Sequence, residues 1–296
     1  MDVDIRSNVL LTDLYQLTML QSYLDHGMDD TAVFEFFVRT MPPQRGFYLA
    51  AGLAQLVDFL ETAHFTSGEL EWIEKSGRFS QSFVEYIAQW RFAGDLHAML
   101  EGTVFFANEP IVRVTAPLPV AQLIESRLIN ILHYQTLVAT KASRCVLAAE
   151  GKPVMDFGLR RAHGADAGLV AARASYIAGF VGTATVLAEP LFGVPVFGTM
   201  AHSFVQAHSV EIEAFSHFAE THPEDVILLI DTYDTEAGAT KVVQLAPELK
   251  AKGIAVKGVR LDSGDLIVHA RNVRRILDAG GLPEVHITAS GNLDEH

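Results

Sequence analysis

The chain has a single cysteine, Cys145, so no internal disulfide and no metal cage built on several thiolates is possible. That usage fits a reducing compartment. Positive charge is also scarce. The 22 Lys+Arg stand against 36 Asp+Glu, a formal net charge of −14. Sequence-independent nucleic-acid binding needs a basic face, and membrane-surface binding often uses a polybasic patch, so the balance argues against both. Long apolar runs are missing too. The longest uncharged stretches lie between Arg173 and Glu189 and between Glu189 and Glu211. They are broken by Gly179, Gly182, Pro190, Gly193, Pro195 and Gly198, and the second holds His202 and His208. Neither reads as a membrane helix of ~20 continuous apolar residues. The opening Met1-Asp2-Val3-Asp4 is acidic where a signal peptide would be basic. These absences predict a cytoplasmic protein with no membrane and no nucleic-acid partner.

Apolar residues are plentiful. They make up 49% of the 296 residues, enough for a sizeable core in one large domain or two ordinary ones. Residues 9–26 carry Leu10, Leu14, Leu17, Met19, Leu20 and Leu24 at helical spacing, with Thr12 and Asp13 as capping candidates. Residues 31–38 are β-branched and aromatic and read as a strand. Residues 46–98 look mostly helical, with breaks at Ser67-Gly68 and Gly94. Short strands are expected at 103–106 and 111–115, then a long helical stretch over 121–150. From Gly151 apolar runs alternate with helical stretches. The runs are 153–157, 195–198, 226–230, 254–261 and 285–289, and 165–187 and 203–219 are long enough for helices. Buried runs separated by helices indicate βα units and a parallel sheet, open or part of a barrel.

The polar residues at the end of each run point to function. After Phe157 come Gly158, Arg160, Arg161 and His163, and after Phe197 come Gly198, Thr199 and His202. After Ile230 come Asp231 and Asp234, after Val259 come Arg260, Asp262 and Asp265, and after Ile287 come Ser290 and Asn292. Polar turns end most strands, so one such cluster means little. Repetition at successive C-terminal ends, where parallel α/β folds build their sites, predicts an active-site face.

The residue types suggest phosphate chemistry. Guanidinium forks at Arg160 and Arg161 suit phosphate or carboxylate oxygens, although adjacent residues leaving a strand diverge, so only one would face a site. His202 comes after small residues at the start of a helix and could act as acid, base or phosphoryl acceptor. The D-x-x-D pairs 231/234 and 262/265 could hold Mg²⁺, orient an imidazole or bind sugar hydroxyls. Asp after a strand is also a common turn or cap residue. Asp231 and Asp262, at the strand ends themselves, are the better site candidates. Together these groups suggest a phosphorylated sugar substrate without naming the reaction. Cys145 sits in an apolar helical stretch and reads as core.

Several segments resemble the nicotinate phosphoribosyltransferase family. They are Leu11-Thr12-Asp13-Leu14-Tyr15-Gln16-Leu17-Thr18-Met19, His133-Tyr134-Gln135-Thr136-Leu137, Asp156-Phe157-Gly158-Leu159-Arg160-Arg161, Gly198-Thr199-Met200-Ala201-His202-Ser203, Asp231-Thr232-Tyr233-Asp234-Thr235 and Val259-Arg260-Leu261-Asp262-Ser263-Gly264-Asp265. Each is moderately specific alone; their order and spacing together are highly specific. The resemblance implies that nicotinate and 5-phosphoribosyl-1-pyrophosphate (PRPP) give nicotinate mononucleotide and pyrophosphate, with coupled ATP hydrolysis, in NAD salvage. It implies Mg²⁺ and a homodimer with shared active sites. By carry-over His202 is transiently phosphorylated, Asp231 orients its ring, and Asp262 sits near the ribosyl carbon and metal. Arg160 and Arg260 bind the anionic substrates, Phe157 stacks on the pyridine ring, Tyr15 reaches in from the partner subunit, and Thr199 contacts the nicotinate region. The related nicotinamide enzyme carries an Asp where this chain has Ala184, which favours the acid as substrate.

The resemblance also implies a fold: an α/β chain with an N-terminal α+β domain, residues 1–120, and an irregular (β/α) barrel, residues 121–296, incomplete at its C-terminus. Five strand-like runs are present where a closed barrel needs about eight. The family's further segment, with a Gly-rich loop for the 5′-phosphate, is not in this sequence, so metal ligands beyond Asn292 are not assigned. Two other readings stay open: a non-catalytic chain that needs a separate C-terminal partner chain, and a nicotinamide-type or unrelated sugar-phosphate enzyme.

Overall fold

Helix-forming and strand-forming stretches sort into two packed units in the computed structural model, which describes Asp4 and residues 7–296. One unit runs to Val196 and includes Glu295; the other is Phe197–Asp294 with His296. The boundary expected at 120/121 lies inside the first unit. The acidic opening at residues 1–3 lies outside the described residues.

The first unit begins with α1 (Leu14–Asp25), shorter than the expected 9–26 because Asp13 is extended and starts the helix. It buries Gln16, Leu17 and Leu20. Strand β1 (Thr31–Phe36) and the two-residue β2 (Tyr48–Leu49) come next. Helices α2 (Leu53–Thr62), α3 (Ser67–Lys75) and α4 (Gln81–Ala88) succeed them. Ser67-Gly68, expected as a break, instead opens α3, because Thr66 and Glu69 form a reciprocal capping box. Strands β3 (Asp95–Ala98), β4 (Val104–Phe105) and β5 (Val112–Pro117) lead into α5 (Leu118–Leu123) and the long α6 (Glu125–Ala148). An antiparallel sheet in the order β1-β5-β3 turns Val112, Val114 and Ala116 inward. With Phe59, Phe83, Phe105, Leu123 and Leu132 these residues make a core.

Beyond α6 the pairing becomes parallel. Strand β6 (Met155–Asp156) ends before Phe157, and Leu159–Arg161 form a single tight turn. Helix α7 (Ala165–Ile177) stops well short of the expected 187, and Gly179 with φ 108° lies just past its end. The chain then forms β7 (Gly182–Thr183), which has no counterpart among the strand-like runs of the sequence, parallel to β6. Helix α8 (Ala188–Phe192) is next. The run 195–198 forms no strand: it makes one bridge, Val196 with Thr183. Pro195 has no N–H to add to a ladder, and Gly193 and Gly198 flank it.

The second unit opens with α9 (His202–Gln206) and α10 (Glu211–Thr221), a break where a continuous helix is expected over 203–219. Then β8 (Val226–Leu229), α11 (Thr235–Ala251), β9 (Val256–Leu261), α12 (Leu266–Ala279) and β10 (His286–Ala289) alternate. The three strands are parallel in the order β10-β9-β8, each beside its predecessor. Both faces are covered, so Val226, Leu228, Leu229, Val259 and Leu261 are all buried, as near-continuous apolar strands require. The architecture is mixed α/β. Among the described residues neither parallel sheet closes on itself, so the expected barrel is not formed by them.

Candidate active site

The three parallel strands of the second unit release their polar residues onto one edge. Arg260 is the second-last residue of β9, and Asp262 comes just after its end. The Arg260 guanidinium is anchored on several sides. Its Nε donates to Ser290 Oγ at 2.8 Å, Nη2 to Asp262 Oδ1 at 2.8 Å, and Nη1 to Thr199 Oγ1 at 3.2 Å and the Met200 carbonyl at 3.4 Å. Ser290 Oγ in turn donates to Asp262 Oδ1 at 2.5 Å. Asp262 Oδ1 is therefore saturated, and Oδ2 is the oxygen that faces His202 Nε2, 3.5 Å away. Burial alone would raise the Asp262 carboxyl. The hydrogen bonds from Ser290 and Arg260, the Arg260 charge and His202 outweigh it and hold the group below the usual carboxylate range.

Asp231 lies past the end of β8 and is buried. Its Oδ2 accepts from the Asp262 N–H at 2.8 Å and from Ser263 Oγ at 2.6 Å. Oδ1 is buried and has no hydrogen-bond partner among the described residues. Asp231 thus ties the turn after β9 to the end of β8. Among the described residues Asp231 makes no hydrogen bond to the His202 ring. The ring is held by Thr232, whose Oγ1 is 3.1 Å from His202 Nδ1, and by Asp262. Gly291 explains how β10 reaches this cluster. Its φ is +94°, and a Cβ there would lie 2.5 Å from the Asp262 carbonyl oxygen.

The two D-x-x-D pairs divide by position. Asp231 and Asp262 enter the cluster. Asp234 Oδ1 accepts from the Ala237 N–H at 2.7 Å and caps α11. Asp265 Oδ1 accepts from the Ile267 and Val268 N–H groups at 3.1 Å and caps α12. Thr232, Ser263 and Ser290 are cluster members that residue type alone does not mark as catalytic. Their signal is adjacency, since each lies within three residues of a strand end.

The remaining candidates belong to the first unit. Asp156, at the end of β6, accepts from the Gly158 N–H at 2.9 Å and from Thr183 Oγ1 at 2.8 Å, and its carbonyl accepts from the Ala184 N–H. Phe157, half-buried, leaves this braced pair. Arg160 is exposed and forms no hydrogen bond or ion pair among the described residues, so its fork is open. Tyr15, 46% exposed on α1, has its hydroxyl 3.3 Å from Ser126 Oγ, which donates to Asp13 Oδ2 at 2.7 Å. Cys145 is half-buried on α6. Among the described residues there is no group of three or more His, Cys, Asp or Glu side chains set to hold a metal, and no helix is long and apolar enough to cross a membrane.

The family models and the curated relatives agree on one family. Residues 10–133 match the nicotinate phosphoribosyltransferase (NAPRTase) N-terminal domain, and residues 153–279 match the nicotinate phosphoribosyltransferase (NAPRTase) family. Nicotinate phosphoribosyltransferase pncB2 of Mycobacterium tuberculosis is 49% identical over 287 residues, covering 97% of this chain and 62% of that protein. The Bacillus subtilis nicotinate phosphoribosyltransferase is 43% identical over 289 residues, covering 97% of this chain and 59% of that protein. The chain thus spans about three fifths of the length of these curated relatives. The crystal structure of human nicotinic acid phosphoribosyltransferase superposes with a TM-score of 0.90 at 33% identity, covering 96% of this chain and 69% of that one. The strand-end cluster, the order of the motifs and the shared fold agree, and the chain belongs to the nicotinate phosphoribosyltransferase family.

Proposed function

We propose that this chain carries the catalytic residues of an ATP-coupled nicotinate phosphoribosyltransferase. It would convert nicotinate and PRPP to nicotinate mononucleotide and pyrophosphate in NAD salvage. The observation that supports it best is the pairing of His202 with Asp262 inside a braced strand-end cluster. In this reading ATP phosphorylates His202: a bond forms between a ring nitrogen and the γ-phosphorus as the bond to ADP breaks. Asp262, kept ionised, faces the ribosyl carbon, where an oxocarbenium-like transition state gathers positive charge. Arg260 holds Asp262 and Thr199 in place. Because its donors are engaged, it contributes positive charge more than an open fork.

The substrate side falls to Phe157, whose ring can stack on the pyridine, and to the open fork of Arg160, which suits a carboxylate or phosphate. Thr199 contacts the nicotinate region, and Tyr15 serves the site of a partner subunit in a homodimer. Ala184 leaves no carboxylate to repel the acid, which supports nicotinate over its amide.

Mg²⁺ takes oxygen ligands, keeps several waters and uses one or two carboxylates plus substrate phosphates. Asp231 Oδ1, buried and unpartnered, is a donor of that kind, and the cluster's two carboxylates outnumber its one guanidinium. The residues therefore fit the ion, and Asp231 would hold it. When bound, Mg²⁺ offsets the charge of the leaving pyrophosphate. The consecutive-neighbour order of β8, β9 and β10 supports an arc of an irregular (β/α) barrel.

The test mixes purified chain with nicotinate, PRPP, Mg²⁺ and ATP, with His202→Ala as control. Mononucleotide that depends on ATP and on His202 supports the reading. Folded protein that makes none refutes it for this chain.

A further inference from the structure

We infer that His208 and His217 form a two-imidazole site for a divalent transition ion of the zinc and copper class, outside the strand-end cluster. It does not depend on the proposed function. His208 lies in the segment between α9 and α10, and His217 lies on α10. His208 Nδ1 is 2.8 Å from the Phe204 carbonyl oxygen. A carbonyl only accepts, so Nδ1 carries the hydrogen and, in the neutral ring, Nε2 presents a lone pair. That nitrogen is 3.1 Å from His217 Nδ1. A ring held through one N–H by a backbone carbonyl, with its other nitrogen bare, is the form in which histidine binds metals.

The spacing fits one ion shared by both rings. With metal–nitrogen bonds of about 2.0–2.1 Å, two ligand nitrogens stand about 2.9 Å apart at a right angle and about 3.4 Å apart at the tetrahedral angle. Without metal, His217 Nδ1–H donates to His208 Nε2 and fills the gap. With metal, that proton leaves Nδ1 for water and Nε2 of the same ring takes one up, so the ring stays neutral and no net proton is released. His217 is exposed, which gives it access to water and room to rotate toward the ion. Water completes the coordination, since no third His, Cys, Asp or Glu joins the pair among the described residues.

The surroundings suit such an ion. The Phe204 ring packs 4.8 Å from His208, and Phe218 lies against Phe204 at 6.1 Å, so one side of the half-buried His208 is an apolar wall. Glu213 and Glu220, the latter paired with Lys252, lie one turn either side of His217 on α10 and favour a cation. Imidazole nitrogens select zinc or copper over Mg²⁺, which takes oxygen ligands. His26 supplies the contrast. Its Nδ1 is likewise 2.8 Å from a carbonyl four residues back, that of Ser22, but no second imidazole faces it among the described residues. A bound ion would staple the segment after α9 to α10.

The experiment titrates the purified chain with Zn²⁺ by calorimetry, in a buffer that does not bind metal and above the ordinary imidazole pKa of about 6.5. Wild type is compared with His208→Gln, His217→Gln, the double variant and His26→Gln. Folding is checked by circular dichroism, and His217→Gln, at an exposed position, decides the matter even where His208→Gln does not fold. The chain has 12 histidines, so weak sites elsewhere form a background that the double variant measures. Wild type should bind one Zn²⁺ more tightly than that background. Loss of a group behind a ligand costs about 10–100-fold in affinity, so loss of either ligand should weaken this site at least about tenfold. His26→Gln should bind as wild type does. A wild type that binds no more tightly than the double variant, or an equal loss in His26→Gln, overturns the inference.

A second measurement uses Cu²⁺ and electron paramagnetic resonance. One equivalent should show two coordinated nitrogens in wild type and fewer in His217→Gln. Identical spectra in wild type and the double variant overturn the inference.

Discussion

Gly238 tests how closely helix and strand are packed behind the cluster. It lies inside α11, where alanine normally stabilises a helix by about 1 kcal/mol over glycine. Here a Cβ would fall well inside contact distance of the Ile230 carbonyl oxygen, with the Ile230 carbonyl carbon and Cβ both at 3.0 Å. The obstacle is backbone, so relief requires α11 to move off β8, loosening buried Ala239 and Val242. Overpacking of this kind costs about 3 kcal/mol at the upper end of its usual range. The clash outweighs propensity, and Gly238→Ala should lose about 2 kcal/mol net. The contrast is Gly168 in α7, where a Cβ would meet Leu159 Cδ1 at 2.5 Å. That is the end of an exposed side chain, which can rotate away, so Gly168→Ala should be neutral or slightly stabilising. Urea unfolding monitored by circular dichroism gives both values, with a midpoint shift of about 1 M for Gly238→Ala. The reasoning fails if Gly238→Ala is as stable as wild type, or if Gly168→Ala falls as far.

The same geometry sets three further outcomes. Glu101 meets Arg173 through two oxygens, with N···O distances of 2.8 and 2.6 Å, and also accepts the Gly52 N–H. Glu101→Ala strands a largely buried guanidinium and should cost about 3–5 kcal/mol in denaturant titration, whereas a surface pair would cost under about 1. Asp234→Ala and Asp265→Ala should each lose about 1 kcal/mol as lost caps while keeping most activity, whereas Asp262→Asn should abolish turnover; equal losses of activity in all three would contradict the division of roles. Asp262 is held below its ordinary range in the folded protein, so its contribution to stability is present above the unfolded carboxylate value and fades as pH falls through the folded one. Wild type should therefore lose stability on acidification more steeply than Asp262→Asn, as measured by thermal midpoints from pH 6 to pH 3; parallel curves would show that the carboxylate is not linked to folding.

Much of the second unit is legible in the sequence because its signals are local. The runs that form β8, β9 and β10 are apolar, short and separated by helix-length segments, as buried parallel strands are. β7 is not legible, because two residues, Gly182 and Thr183, carry no periodicity. The run 195–198 resembles a strand in its valine and phenylalanine, but Pro195 and the flanking glycines leave a single bridge. At the site, residue types are legible and their partners are not. Asp231, Asp234, Asp262 and Asp265 look alike in sequence. Only the folded chain decides which pair faces the cluster and which pair caps a helix. A carboxylate is the obvious partner for His202, yet the nearer hydrogen-bond partner is Thr232. Which group reaches a ring depends on how two turns approach one another, and spacing along the chain does not encode that.

The most direct measurement traces phosphate from [γ-³²P]ATP. The purified chain is incubated with labelled ATP and Mg²⁺, and the labelled peptide is mapped. The account predicts acid-labile label on the peptide that contains His202, absent from His202→Ala and discharged when nicotinate and PRPP are added. Label on another residue, or label that persists in His202→Ala, would contradict it.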